Sequence, residues 1–304
     1  MASSLWQKNR KAVKANTLPI IYGLVGFPIT HSLSPAMHNA AFKKLKIDAL
    51  YMLFEKTEEG LAPALTQLKL MKAGGFNVTV PYKEAVIPFL DEIDEQARQI
   101  GAVNTVVYKK GKFIGYNTDA VGFITSLKND LECNPKGKNA FIIGAGGAAR
   151  AIGFTLAKER VKAIRFYDIV PARAKKLAQD VIKALDAIGE RNIDISFVQQ
   201  ASNKRGAFAG IEDADILVNA STCGMKKDDP LPIDPTLLPK GIVVYDIIYN
   251  PTPTKLIKAV KVRGIKGVNG LGMLLYQGAL AFEIWTKQKA PIDTMHSALL
   301  KAMK

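Results

Sequence analysis

The sequence predicts an α/β protein of two domains with a cleft between them. Three observations lead there. The chain has 304 residues, enough for two separate cores. Short apolar runs alternate with segments of helical period, the order that a mostly parallel sheet requires. Thirdly, a buried strand at 139–143 runs into Gly144-Ala145-Gly146-Gly147-Ala148-Ala149, which fits G-x-G-x-x-A, and the next strand, 163–167, ends in Asp168. Strand, glycine turn, helix, strand and acid in that order describe a Rossmann-type dinucleotide site. Gly144 permits the tight turn. Gly146 lets backbone N–H groups approach a pyrophosphate on the positive end of the new helix. Ala149 lets that helix lie close to its strand.

The elements follow in order. Residues 20–27 read as a first buried strand, and 35–46 as a helix that Pro35 opens, with Ser34 a natural N-cap. Then come a strand at 50–54, a helix at 60–72, a strand at 75–80 and a helix at 82–90. Runs at 103–108 and 112–117 flank Lys110-Gly111 as a hairpin that sets Asn104 opposite Asn117. A helix at about 120–130 leads into the nucleotide unit, which continues with strands at 193–197, 216–219, 243–246 and 267–268. After Gly270, 271–286 and 294–303 read as helices that come too late for the nucleotide sheet. They are expected to return to the first domain. The expected division is a basic tail at 1–19, a substrate domain at 20–120 with 271–304, and a dinucleotide domain at 121–270.

Composition excludes several classes. No apolar run approaches the ~18 residues of a membrane helix. Lys8, Arg10, Lys11 and Lys14 precede no apolar segment, so residues 1–19 are no secretory signal. Cys133 and Cys223 stand far apart, which fits a reducing, cytoplasmic setting and no zinc site. His31, His38 and His296 form no ligand set; His31 neighbours the expected site, and the others read as surface or packing residues. No metal is expected. The net charge of +15 suits anionic small molecules; the lysines are scattered without a nucleic-acid motif, so no nucleic-acid partner is expected.

Several residues carry chemistry. In an extended segment Ser32 and Ser34 project to one side, and two hydroxyls beside a helix N-terminus can receive a carboxylate. Asn77 and Thr79 share one strand face. Lys83, placed in the first turn of the expected helix, would oppose its dipole, which marks it as a functional candidate. Asp119 stands beside Asn104 at the open end of the hairpin, either as a helix N-cap or as a partner that orients the lysine.

Taken in order, Ser-Leu-Ser-Pro (32–35), Asn-Val-Thr-Val-Pro-Tyr-Lys (77–83), Gly-Ala-Val-Asn-Thr (101–105), Asn-Thr-Asp (117–119), Gly-Ala-Gly-Gly-Ala (144–148), Asn-Ala-Ser-Thr-Cys-Gly-Met (219–225) and Gly-Leu-Gly-Met-Leu-Leu-Tyr-Gln (270–277) resemble the shikimate dehydrogenases and their quinate/shikimate relatives. The resemblance implies that Ser32 and Ser34 hold a substrate carboxylate, and that Asn77, Thr79, Asn104 and Gln277 bind ring hydroxyls. It implies that Lys83 and Asp119 serve the hydroxyl being oxidised, that Gly144, Ala145, Gly146, Gly147 and Ala148 carry the pyrophosphate, that Ile247, Gly270 and Met273 flank the nicotinamide, and that Tyr249 closes the cleft. The reaction it implies interconverts 3-dehydroshikimate and shikimate by hydride transfer, in a monomer or homodimer. A quinate or dual quinate/shikimate dehydrogenase is the alternative, and a non-catalytic nucleotide sensor a remote one.

One departure bears on the cofactor. NADP-using members carry Asn-Arg-Thr after the second nucleotide-domain strand. Here Asp168-Ile169-Val170 stands there, and Arg173 follows one helical turn later. A carboxylate suits the ribose hydroxyls of NAD, so NAD is expected as the preferred cofactor, with NADP the alternative. Cys223 also departs from the pattern, without explanation.

Overall fold

A computed structural model describes residues 18–190, 192–198 and 208–303. The expected basic tail lies outside the described residues except for 18 and 19. The chain forms two six-stranded sheets.

The first sheet contains β1 (Ile20–Gly26), β2 (Ala49–Glu55), β3 (Gly75–Val78), β4 (Glu92–Ile93), β5 (Thr105–Lys109) and β6 (Lys112–Tyr116), in the order β2-β1-β3-β5-β6-β4. It is mixed: β1 pairs in parallel with β2 and β3, whereas β5 runs antiparallel to β3 and β6. The β5–β6 turn has positive φ at Lys110 (50°) and Gly111 (82°), the geometry of a tight two-residue hairpin.

The second sheet contains β7 (Asn139–Ile143), β8 (Ala163–Tyr167), β9 (Asp194–Phe197), β10 (Ile216–Asn219), β11 (Val243–Asp246) and β12 (Lys266–Asn269), in the order β12-β11-β10-β7-β8-β9. Every pair in it is parallel. Read from β9, this is the doubly wound order 3-2-1-4-5-6, whose crevice opens between β7 and β10.

The helices are α1 (Ser34–Lys44), α2 (Glu58–Leu70), α3 (Glu95–Ile100), α4 (Asp119–Asn129), α5 (Gly147–Lys158), α6 (Pro171–Asp186), α7 (Lys255–Val262), α8 (Leu271–Thr286) and α9 (Ile292–Ala302). Alternate apolar residues of the first sheet feed two cores. One face packs Tyr22, Leu24 and Tyr51 against α1, α8 and α9 through Phe42, Phe282, Met295 and Leu299. The other packs Val25, Phe76 and Val106 against Leu61, Leu65 and Leu68 of α2. Trp285 of α8 anchors the first face by donating from Nε1 to the Val106 carbonyl at 2.9 Å. Phe282 is fully buried, so truncation to Ala should cost about 3–5 kcal/mol. At the outer edge of the sheet, the Asn39 amide of α1 donates to the Tyr51 carbonyl (3.0 Å) and accepts from the Tyr51 N–H (2.8 Å).

Three local expectations are corrected. Residues 82–90 form no α-helix, only turns and a 3-10 segment at Ile87–Phe89. The Lys83 carbonyl accepts from the Val103 N–H at 2.7 Å, and Pro88 has no N–H to offer, so the helical ladder cannot run on. The N-cap of α1 is Leu33, not Ser34, and no side chain caps it. Asp119 is the first residue of α4, with Thr118 at the cap. Ala149 is fully buried in α5, and at Gly153 of the same helix a Cβ would meet the Phe166 ring at 2.5 Å.

Candidate active site

The loop after β1 brings two hydroxyls to the mouth of the cleft. The Glu55 carboxylate fixes it by accepting from the N–H groups of Ile29 (2.6 Å) and Thr30 (3.2 Å). Ser32 Oγ donates to Ser34 Oγ at 3.2 Å and accepts from the Ser34 N–H at 3.3 Å. His31 is exposed on the same loop. Beneath it lies Tyr51, 2 % exposed. Its hydroxyl donates to Asn77 Oδ1 at 2.8 Å and neighbours the Ser34 side chain. Burial pushes this phenol well above its ordinary range, so it stays a neutral donor.

Asn77 on β3 is held from both ends. Its Nδ2 donates to the Asn104 carbonyl (3.1 Å) and to Thr105 Oγ1 (3.0 Å). Thr79, one residue past β3, is half-buried on the same side. Asn104 lies at the centre of the polar cluster. Its Oδ1 accepts from the Thr118 N–H at 2.7 Å; its Nδ2 faces Thr118 Oγ1 (2.9 Å), Asp119 Oδ1 (2.9 Å) and Gln277 Oε1 (3.3 Å). Gln277 comes from α8 and is steadied by its own bond to the Leu274 carbonyl, 2.9 Å.

Lys83 Nζ meets Asp119 Oδ2 at 2.7 Å, with side chains 12 % and 6 % exposed. With both carboxylate oxygens engaged, one by Asn104 and one by Lys83, the ammonium is fixed in direction as well as place. The lysine is not on a helix, so the dipole argument for it does not apply; what marks it is a sparsely solvated ion pair.

Across the cleft, Gly144 ends β7 at φ 106°. A side chain there would strike Ala220 and Ser221 backbone at 2.8–2.9 Å, so glycine is required on both counts. Gly146 caps α5 without any side-chain bond, and nothing lies within 4 Å of where its Cβ would be. Among the described residues no side chain caps the first N–H groups of α5, and this start of the helix fits a pyrophosphate. Ala145 flanks the turn and is partly buried. The two domains touch here: a Cβ on Gly147 would lie 2.9 Å from Lys83 Cβ and 3.2 Å from its Cδ.

Asp168 is 8 % exposed, and its Oδ1 accepts from the Val170 N–H at 2.9 Å. It braces the turn into α6. Ile169 beside it is 85 % exposed, and Arg173 is exposed in the first turn of α6. On the far side of the crevice, Gly270 caps α8, and its Cβ position is filled by the Ile247 carbonyl. Ile247 and Gly270 thus meet, and Met273 in the first turn of α8 is buried. Tyr249 is half-buried, and its hydroxyl neighbours the Ser32 side chain and the Leu33 backbone, which oppose the rise that burial causes in its pKa.

Sequence reasoning overlooked Tyr51, Thr105 and Thr118. In a strand such as β2 an inward tyrosine is indistinguishable from a core residue until its hydroxyl partner is seen. Among the described residues no group of His, Cys, Asp and Glu could hold a metal ion, and no helix is long and apolar enough to cross a membrane.

A doubly wound sheet whose crevice faces a buried lysine–carboxylate pair defines a two-domain dinucleotide-dependent oxidoreductase. Comparisons with known proteins narrow the class. The family model described as shikimate dehydrogenase substrate binding domain matches residues 24–106, and that of the shikimate 5'-dehydrogenase C-terminal domain matches residues 270–300. The shikimate dehydrogenase (NADP(+)) of Desulforamulus reducens is 42% identical over 283 residues, which cover 92% of this chain and 94% of the relative. A crystal structure of a shikimate dehydrogenase in complex with NADP+ superposes with a TM-score of 0.83 at 38% identity, covering 94% of this chain and 96% of that one. The quinate dehydrogenase of Corynebacterium glutamicum in complex with NAD gives 0.81 at 31% identity, covering 93% and 99%. The chain belongs to the shikimate dehydrogenase family.

Proposed function

We propose that this protein is a shikimate dehydrogenase that interconverts 3-dehydroshikimate and shikimate with a nicotinamide dinucleotide. The observation that carries the reading is the 2.7 Å Lys83–Asp119 pair, set against the uncapped start of α5. Residues 20–120 with 271–304 form the substrate domain, and 121–270 the dinucleotide domain. Ser32 and Ser34 receive the carboxylate; Asn77, Thr79, Asn104 and Gln277 take the ring hydroxyls. The turn Gly144–Ala148 receives the pyrophosphate, the Gly144 N–H itself staying on the Tyr167 carbonyl at 2.7 Å, and Ile247, Gly270 and Met273 line the nicotinamide face. When bound, the nicotinamide supplies a hydride or takes one up. In the reductive direction the Lys83 ammonium gives its proton to the oxygen that becomes the hydroxyl, and in the oxidative direction the amine takes it back. Asp119 keeps Nζ aimed, and the closed cleft excludes water. Two well-separated free thiols fit a cytoplasmic enzyme.

Lys83→Ala should lower kcat at least ~100-fold with a smaller change in KM; steady-state rates check this, and a variant that kept kcat while losing only affinity would refute the assignment. The cofactor reading rests on Asp168. Oδ1 is engaged by Val170, which leaves Oδ2 to accept from a ribose hydroxyl. A 2′-phosphate there would be repelled by about 1–2 kcal/mol after screening, roughly 5–30-fold in binding. NAD is therefore expected to give the higher kcat/KM, and Asp168→Asn with Ile169→Arg to shift preference toward NADP. Equal or better use of NADP by the unmutated protein would overturn this reading. The same rates with quinate in place of shikimate decide the second reading, which the carboxylate at 168 favours.

A further inference from the structure

Asp246, at the C-terminal end of β11, is 1 % exposed, yet its carboxylate is divided among three donors. Oδ1 accepts from Asn219 Nδ2 at 2.9 Å and from the Ile248 N–H at 3.2 Å; Oδ2 accepts from Thr254 Oγ1 at 2.7 Å. Each donor belongs to a different stretch of chain. Asn219 ends β10; its Oδ1 accepts from Ser221 Oγ at 2.7 Å, and its Nδ2 also reaches the Cys223 carbonyl at 3.2 Å. Thr254 caps α7, its hydroxyl accepting from the Ile257 N–H at 3.2 Å.

A buried carboxylate is costly to hold, and an apolar residue would suit the interior better if only packing were at stake. Burial raises the pKa of Asp246, and the bonds from Thr254, Ile248 and Asn219 oppose the rise. What the carboxylate achieves is geometric. It ties the two ends of the segment 247–253 to each other and to β10. That segment carries Ile247, whose N–H donates to the Asn219 carbonyl at 3.0 Å and whose carbonyl is backed by Gly270. It also carries Tyr249, which reaches across to Ser32 and Leu33 of the other domain. Neither end of the segment can shift without breaking a bond to a buried charge, the kind that costs most to lose.

We propose that Asp246 and Thr254 are positioning residues, which fix the span of the 247–253 loop so that one end stays on the nicotinamide face while Tyr249 closes over the substrate carboxylate. The loop then carries domain contact from the cofactor side to the substrate side. The inference rests on the roles given above to Ile247 and Tyr249, and its test separates the two.

Shikimate KM and kcat are measured for Thr254→Val, Thr254→Ser, Tyr249→Phe and the double variant Thr254→Val/Tyr249→Phe, each with a thermal melt. Thr254→Val should raise the shikimate KM about tenfold, the loss of one bond to a charged group, with kcat lowered less. Thr254→Ser, which keeps the hydroxyl, should lie within about twofold of wild type. The double variant should have a KM no higher than Tyr249→Phe alone, because the threonine acts through the tyrosine. If Tyr249→Phe leaves KM unchanged, the role of Tyr249 falls, and the inference with it. If Tyr249→Phe raises KM but Thr254→Val does not, or if their effects multiply, the inference alone is overturned. A lowered melting temperature with unchanged KM in Thr254→Val likewise overturns it, since that is what a purely structural bond would give.

Discussion

A side chain at Gly147 would disturb one neighbour. The space its Cβ would fill holds the stem of Lys83, 2.9 Å from Cβ to Cβ. Gly147→Ala is favourable for a helix start by propensity, so α5 itself should tolerate it. The cost falls on Lys83, whose stem must tilt and carry Nζ away from Asp119. The expected outcome is a fall in kcat of roughly tenfold or more from an error of a few tenths of an ångström in placement, with the cofactor dissociation constant changed much less. Fluorescence titration with NADH beside steady-state rates separates the two. His38 shows a different residue-scale effect. It is fully buried, stacked on Tyr51 at 4.4 Å between centroids, and neither ring nitrogen has a hydrogen-bond partner among the described residues. Burial lowers its pKa from 6.5 to about 3. The folded protein thus keeps the ring neutral at pH values where the unfolded chain protonates it. Stability from this group is complete above pH 6.5 and declines as the pH falls through 6.5 toward 3. At pH 5 the loss should be about 2 kcal/mol. Urea midpoints at pH 7 and pH 5 should differ less in His38→Phe than in wild type; an equal drop in both would show that the ring does not titrate this way.

At the scale of elements, α5 is tied to two neighbours. Arg150 Nη2 bonds Asp180 of α6 at 2.8 Å and Glu84, next to Lys83, at 3.4 Å. Burial opposes ionisation of Asp180, but Arg150 and Lys176 hold its pKa below the usual carboxylate range. Stability from this clip is therefore present above the unfolded carboxylate pKa, ~3.9, and lost as the pH falls through the lower folded value. Asp180→Asn should reduce the melting temperature at pH 7, and the gap to wild type should narrow as the pH is lowered below ~3.9, as scanning calorimetry would show; a gap that stayed constant would refute the clip. Long elements were readable from sequence, as in α8, expected at 271–286 and found at Leu271–Thr286. Short ones were not. The two-residue strand β4 and the six-residue α3 carry no period, and 82–90 has helical composition but loses the Lys83 carbonyl to Val103. The site divides in the same way. The glycines stood out because each serves a backbone need and Asp119 because it stands beside Asn104 at the open end of the hairpin, whereas Lys83 stood out on a helix dipole that the fold does not contain. Tyr51, Asn219, Asp246 and Thr254 did not, because a polar residue at a strand end or helix cap has an ordinary local reason to be there, and its partners come from distant sequence.

For the molecule as a whole, the two halves touch where Lys83 lies on Gly147, where Arg150 bonds Glu84 and where Tyr249 reaches Ser32. The whole chain carries a net charge of +15, and both of its proposed ligands are anions. The field of that charge should draw them in and be weakened by salt. Raising ionic strength from about 50 to about 300 mM, which shortens the Debye length from ~14 to ~6 Å, should raise the KM of shikimate and of the dinucleotide a few-fold and leave kcat unchanged. An unaltered KM would show that only short-range contacts bind them. The first sheet also has an open flank. β2 is its outermost strand, and Leu50 and Met52 on it are 41% and 42% exposed. Such a flank invites a second strand to add on. The Asn39 amide already holds the N–H and carbonyl of Tyr51, acting as a one-residue imitation of the missing neighbour. A foreign strand would have to displace a tethered partner that makes both bonds in place. Asn39 thus limits the sheet to six strands, and Asn39→Val should leave catalysis nearly intact while light scattering reveals concentration-dependent association through β2.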